Sequence, residues 1–290
     1  MHRHLLLGAT AFALLTGAAP GLDVVVIDPG HGGTNMGAPA RAAGSGWEKE
    51  HTLRIARRVA DHLRAEGVTV HLTRWADVDM TLANRVRYAN AHKADVFVSI
   101  HLNSTEKPGP VGHETFFLAL ESSDEAARRL AAYENQDASP APPSPGSAVP
   151  GDGERDPAVT DILRDLGQNQ AHEDAQALAA AIQRRMVAQS PFPDRGVLQA
   201  PFNVLMGAAM PAVVVEAGFL NHPKEGLFVT SEDGHARIAR GVADGILDFG
   251  RLVVAARKAR PARPTPSDAK TPAPSPPNTP TTAPVAPRSP

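Results

Sequence analysis

The sequence predicts an α/β fold, a single domain built on a mostly parallel sheet covered by helices on both faces. Three observations predict it. Apolar, β-branched runs such as Val24-Val25-Val26-Ile27, Val96-Phe97-Val98-Ser99-Ile100 and Ala212-Val213-Val214-Val215 are unbroken, as expected of strands buried on both faces. Segments with apolar residues at helical spacing alternate with them. The prolines are concentrated in two places, one beyond the folded part and one in an insertion inside it: of 27, 11 fall in residues 261–290 and six in residues 138–157.

The elements follow in order. Met1-His2-Arg3-His4 leads into a run of apolar or small residues, Leu5 to Ala19, that is shorter than the roughly 20 residues a membrane span needs. With its small-residue finish it reads as a secretory signal over residues 1–21, which implies export to the periplasm or the extracellular cell envelope and no membrane span in the mature protein. Val24–Ile27 is the first strand, followed by a loop carrying Glu48. Thr52 to Glu66 is a helix, with Leu53, Ala56, Val59, Ala60 and Leu63 at helical spacing and Gly67 as its stop. Val68 to Thr73 is a strand, Thr81 to His92 a helix, Val96–Ile100 a strand and Glu114 to Leu120 another. Residues 121–157 form a flexible insertion that opens on a helix-compatible stretch, Asp124 to Glu134. Thr160 to Ala188 is one long helix or two shorter ones, Gly196 to Met206 is extended, Ala212–Val215 is a buried strand, and His235 to Phe249 is the last helix. The folded domain spans 22–250. Residues 251–290, rich in Pro, Ser and Ala, lack the apolar side chains that offset ordering entropy and read as a disordered tail.

Composition excludes several functions. With 29 Lys and Arg against 31 Asp and Glu, no basic excess points to nucleic acid. The absence of cysteine rules out a disulfide framework, thiolate metal sites and a cysteine nucleophile.

In α/β sheets of this kind ligands bind beyond the carboxyl ends of the strands. There the sequence places Asp28-Pro29-Gly30-His31-Gly32-Gly33 after the first strand, His101 after Val96–Ile100, and Glu216 after Ala212–Val215. Two imidazoles and a carboxylate around an open position form the ligand set of a catalytic zinc site, and a further carboxylate nearby would serve as general base. Glu48 and Glu216 are both available for these roles. His51, His62, His71, His92, His172, His222 and His235 fall at positions that read as solvated, and His113 begins a strand.

At these residues the sequence resembles the zinc-dependent N-acetylmuramoyl-L-alanine amidases of the cell-separation type. The matching blocks are Val26–Gly33, Glu48-Lys49, Leu72-Thr73-Arg74, Asn84-Arg85, Ser99–Asn103 and Met210–Phe219, in the family's order across most of residues 22–250. The resemblance implies a six-stranded α/β hydrolase that binds one zinc ion per chain and cuts the amide between N-acetylmuramic acid and L-alanine in peptidoglycan. Carried over by position, His31, Glu48 and His101 are the zinc ligands and Glu216 the catalytic carboxylate. Glu48 rather than Glu50 takes the ligand role because the family's Glu-Lys pair matches Glu48-Lys49. Met206 departs from relatives that carry a basic residue after the Val-Leu pair. Asp124-Glu125-Ala126-Ala127-Arg128 to Glu134-Asn135, followed by Asp161 to Leu166, resembles the division-associated branch of the family, in which a helical insertion covers the zinc until an activator protein moves it. This resemblance implies an activator acting here on residues 121–157. That segment follows the strand ending near Leu120 and so should leave the sheet near the site, where Glu121, Glu125 or Glu134 could reach a metal. Two rivals use the same residues differently: a zinc carboxypeptidase-like peptidase, and a catalytically silent wall-binding protein.

Overall fold

A computed structural model describes residues 21–41, 45–105, 109–137 and 157–259. The signal segment up to residue 20, the proline-rich part of the insertion at 138–156 and the tail from 260 lie outside the described residues.

Six strands form one sheet: β1 (Val24–Pro29), β2 (Thr69–Leu72), β3 (Val96–Asn103), β4 (His113–Leu118), β5 (Asp194–Ala200) and β6 (Ala212–Phe219), in the order β2-β1-β3-β6-β4-β5. The first four in that order are parallel, and β4 is antiparallel to β6 while parallel to β5. The sheet is therefore mixed, with a parallel four-stranded part carrying the strand ends singled out in the sequence. A signal for the reversal lies in the chain between β3 and β4. Nine residues, 104–112, separate them, fewer than the dozen or so that a crossover to a parallel strand needs.

Helices α1 (Glu48–Ala65), α4 (Pro157–Ala188) and α6 (Glu232–Ala259) cover one face. There Val25, Ile27, Val98, Ile100, Val213 and Val215 pack against Ile55, Val59, Leu63, Leu178, Ile182, Val242 and Ile246, all essentially inaccessible. The opposite face is thinner. Val26, Phe97, Phe116 and Val214 meet Ala89 of α2 (Leu82–Ala91), Ala127 and Ala131 of α3 (Glu125–Glu134), and the turn holding Phe202, Val204 and Leu205. A short helix α5 (Glu225–Val229), not foreseen from the pattern, follows β6.

Several boundaries differ from the sequence reading. Helix α1 begins at Glu48, four residues early, so Glu48 is the first helical residue rather than part of a loop. Trp47 precedes it in extended conformation without a side-chain cap, which hid the start from a capping-based reading. The extended stretch after α4 ends at Ala200 and gives way to a 3-10 turn, Asn203–Leu205. Helix α6 continues to Ala259, so residues 251–259 belong to the helix rather than to the tail.

The reversal of β4 also changes where the insertion leaves. Phe117 pairs with Val213 near the start of β6, so β4 ends at the edge opposite the functional strand ends. Helix α3, N-capped by Asp124 onto the Ala127 amide at 2.8 Å, then carries the chain back across the thin face toward the site edge. Ten residues at 1.5 Å each give this return about 15 Å.

Candidate metal centre

His31 sits in the turn after β1, where Gly30 presses against the ring of His101. A Cβ on Gly30 would lie 2.5 Å from His101 Nε2, so only glycine allows the two elements to approach. His31 adopts φ +58°, a left-handed conformation unusual for a residue with a side chain. Two buried arginines hold the turn in that shape. Arg85 donates to the carbonyls of Pro29 and His31 and to the Asp28 carboxylate, each at 2.7 Å. Arg74 donates to the carbonyls of Pro29, Gly30 and Lys49 at 3.1, 2.9 and 2.8 Å, joining the turn to the start of α1. Asp28 also accepts from Thr73 and Ser99, so this fully buried carboxylate is satisfied.

Glu48 is fully buried. Its Oε2 accepts from the Ala38 amide at 3.0 Å and its Oε1 from the Leu102 amide at 2.9 Å. Lys49 fastens the same turn of helix by donating to Gly33 O at 2.8 Å and Asp77 at 2.7 Å. Glu48 Oε1 lies 3.0 Å from His31 Nε2 and 3.2 Å from His101 Nδ1. A fourth group joins them from α3: Glu134 Oε2 is 3.5 Å from His31 Nε2 and 3.1 Å from His101 Nδ1. One ligand atom from each of these four residues falls within 4.8 Å of all the others.

The donor chemistry fits a cation. His31 Nδ1 is 2.9 Å from Asn35 Oδ1, which also accepts from the Gly37 amide, so Nδ1 carries the proton and Nε2 presents a lone pair to the cluster. His31 Nε2 and His101 Nδ1 are buried and make no hydrogen bond among the described residues. Burial alone would lower both imidazole pKa values, yet the facing Glu48 and Glu134 carboxylates outweigh it and hold them above the usual value. Burial likewise pushes against ionisation of Glu48, but the two imidazoles keep it well below the usual carboxylate range. The cluster thus draws in positive charge, as protons or as a metal ion.

Glu216 is the register partner of His101 on the neighbouring strand, so both side chains share one face. Its carboxylate is buried, and neither oxygen has a hydrogen-bond partner among the described residues. Burial raises its pKa well above the usual value, with the neighbouring carboxylates adding to the rise and His101 opposing it.

A profile of the N-acetylmuramoyl-L-alanine amidases (Amidase_3) matches residues 25–248. The chain is 31% identical over 230 residues to the N-acetylmuramoyl-L-alanine amidase AmiA of Escherichia coli K12, covering 79% of this chain and 76% of that one. The chain belongs to the N-acetylmuramoyl-L-alanine amidase family. It is also 31% identical to the AmiC amidase of Neisseria meningitidis, over 77% of this chain and 51% of that protein, and 31% identical to the endolysin of Bacillus phage SPP1, over 86% and 74%. Among solved structures it is similar to an N-acetylmuramoyl-L-alanine amidase from Clostridium difficile 630, with TM-score 0.58 and 27% identity over 79% of this chain and 97% of that one. The catalytic domain of CwlV from Bacillus (Paenibacillus) polymyxa matches with TM-score 0.57 and 28% identity over 78% and 97%.

Within this amidase fold, His31, Glu48, His101 and Glu216, singled out in the sequence, lie together. Of the three glutamates of the insertion singled out as able to reach a metal, Glu121 and Glu125 are exposed, Glu125 being paired with Arg128 and Arg129, and Glu134 reaches the cluster. Glu50 has no part in the four-residue cluster. The histidines read as solvated include two that are not. His51 and His235 are buried and paired, Nδ1 to Nε2 at 3.1 Å, between α1 and α6. His113 is buried against Ser190 and stands outside the cluster. Sequence reasoning missed the roles of Asn35, Arg74 and Arg85. A signal existed for the last two: a carboxylate as deeply placed as Asp28, at the end of a β-branched strand, demands charged partners.

Proposed function

We propose that this peptidoglycan amidase is zinc-dependent, with His31, Glu48 and His101 holding one zinc ion per chain and Glu216 acting as general base and acid. The observation that carries this is the convergence of two unpartnered imidazole nitrogens and the Glu48 oxygen beside a buried carboxylate whose own oxygens are unpartnered. When bound, zinc supplies Lewis acidity toward the scissile carbonyl and lowers the pKa of water toward about 7. Glu216 takes a proton from the attacking water at one carboxylate oxygen and returns it to the nitrogen of L-alanine as the amide breaks. Its place on the same face as His101, buried and with both carboxylate oxygens unpartnered among the described residues, suits that double task. Asn35 fixes the His31 tautomer, and the Ala38 and Leu102 amides fix Glu48.

Glu134 gives the insertion a role in this reading. With its Oε2 against both imidazoles it takes a ligand position beside the three, and α3 lies over the site. In this arrangement residues 121–157 restrain the enzyme, and a protein partner that draws α3 aside activates it. The bland alternative, a surface loop without function, does not account for a carboxylate delivered to the metal cluster. The family relation and the export signal favour wall remodelling and daughter-cell separation in the cell envelope as the setting. Among the described residues no helix is long and apolar enough to cross a membrane.

Digestion of purified peptidoglycan by the zinc-loaded full chain, read by mass spectrometry, tests the reaction. Intact stem peptides with free alanine amino groups are expected. Products cut within the peptide would support the peptidase reading, and no products from a zinc-loaded chain carrying Glu134→Ala would support the silent binder.

A further inference from the structure

The antiparallel part of the sheet presents a second set of charged side chains to the same face as Glu216. Glu114 on β4 is the register partner of Glu216 on β6 and is buried to 4% exposure. Asn103 donates to Glu114 Oε2 at 3.2 Å, and Arg195 Nε donates to Oε1 at 2.6 Å. Arg195 reaches this face because β5 is irregular there. His113 pairs with Asp194, but Thr115 pairs with Val197, so β5 holds one residue more than β4 over that interval. Gly196, at φ +95°, absorbs the extra residue. The consequence is that Asp194 turns to Gln183 of α4 on one face while Arg195, its immediate neighbour, turns to Glu114 on the other. Bulges that re-aim a side chain in this way recur next to active sites.

The Arg195 guanidinium is held but not used up. Its carbon lies 5.4 Å from the centre of the Phe219 ring, and only Nε is engaged by Glu114. The two terminal nitrogens donate to no protein group among the described residues, on a side chain one-third exposed. The neighbouring acid Glu225 acts on the guanidinium only through space, its carboxylate accepting the amides of Gly112 and Phe219. A guanidinium anchored at one nitrogen, stacked on a ring and open at its fork is prepared for a second, bidentate carboxylate.

Its distance from the chemistry defines which carboxylate. Directly paired side chains stand about 5 Å apart, so the fork lies on the order of 8 Å from Glu216. In the peptide leaving the cut, the residue after L-alanine is linked through its side chain and keeps a free α-carboxylate. Consecutive Cα atoms are about 3.8 Å apart, which puts that carboxylate about 6 Å from the scissile nitrogen. We infer that Arg195 is a specificity-determining residue whose open fork binds the α-carboxylate of the second stem-peptide residue. This rests on the amidase reading of the site, and it predicts that the enzyme distinguishes a stem peptide with that carboxylate free from one in which it is amidated.

The test uses two muramyl tripeptide substrates that differ only there, D-isoglutamate against D-isoglutamine, with the zinc-loaded full chain carrying Glu134→Ala. The readout is the ratio of kcat/KM, from which the fraction of molecules with an open site cancels. A preference of about ten- to hundredfold for the free acid is expected, the scale of a charged hydrogen bond. Arg195→Gln should collapse the preference, and Arg195→Lys should retain part of it. Because Arg195→Gln leaves Glu114 without its cation, Glu114→Gln/Arg195→Gln is measured beside it, and this double variant should regain thermal stability and zinc content while still lacking the preference. A ratio near one before substitution, or a preference that survives Arg195→Gln, overturns the inference while leaving the amidase reading intact. Failure to cut either substrate overturns both.

Discussion

Glu48 and Glu134 both bring a carboxylate oxygen to the same two imidazoles, and the chain holds them in opposite ways. Glu48 is the first residue of an 18-residue helix packed on the thick side of the sheet, fixed by two backbone amides and, through Lys49, by the turn it faces. Glu134 is the last residue of a ten-residue helix whose fully buried anchors are Ala127 and Ala131. Burying their two methyl groups contributes only about 1–2 kcal/mol, to which the half-buried Leu130 adds. Asn135, which bonds Pro201 O and the Asn203 amide, is the main clip at its end. In the proposed reading the ligand that stays, Glu48, is built into the core, and the one that leaves, Glu134, is carried on a lightly attached element.

Substitutions on the two sides should therefore differ in kind. The largest effect is expected at the fixed side: His101→Ala should remove both zinc and activity, measured as metal content and turnover, and stoichiometric zinc in that variant would break the ligand assignment. Glu216→Gln should keep the fold and the zinc but lower turnover by about 10²–10⁴-fold, a split that metal analysis and kinetics resolve. Arg85→Gln should cost roughly 3 kcal/mol of stability by stranding Asp28, and should weaken zinc binding about 10–100-fold by releasing the strained His31 turn. Titration with a zinc chelator separates those two losses.

A smaller effect concerns pH. Burial lowers the pKa of His113 to about 4 and that of His235 to about 4, against 6.5 for a free imidazole. Between those values the unfolded chain binds protons that the folded His113 and His235 refuse, so their contribution to stability is complete above about 6.5 and is lost as the pH drops toward 4. Glu225, raised by burial to about 7, contributes with the opposite sign. For His113 the slope is at most about 1.4 kcal/mol per pH unit. Denaturant midpoints of the parent and of His113→Gln, measured at several pH values, should isolate this decline as the difference between the two, the parent losing stability relative to the variant as the pH falls.

Much of this comparison was legible in the sequence, and the rest was hidden for physical reasons. The β-branched runs located the strands, and strand ends in a parallel sheet converge on one edge, so His31, His101 and Glu216 could be named. Glu48 needed the resemblance, because Glu48 and Glu50 are equivalent to composition and local pattern. Glu134 was one of three acids, and what separates it from Glu125 is the helical path of α3, which depends on the direction of β4. That direction was readable in the nine-residue connection before it. The extra residue at Arg195-Gly196 was not, since a bulge is fixed by pairing between strands distant in sequence.

The measurement that bears most directly on the difference between the two carboxylates is made on Glu134→Ala in the full chain, with zinc content and peptidoglycan turnover read on the same sample. If Glu134 is a removable cover, the variant keeps one zinc per chain and turns over faster than the parent by on the order of 5–150-fold, the range of a typical coupling energy. Loss of zinc, or turnover no higher than that of the parent, would show instead that Glu134 is a structural ligand like Glu48 and that the distinction between the two is wrong.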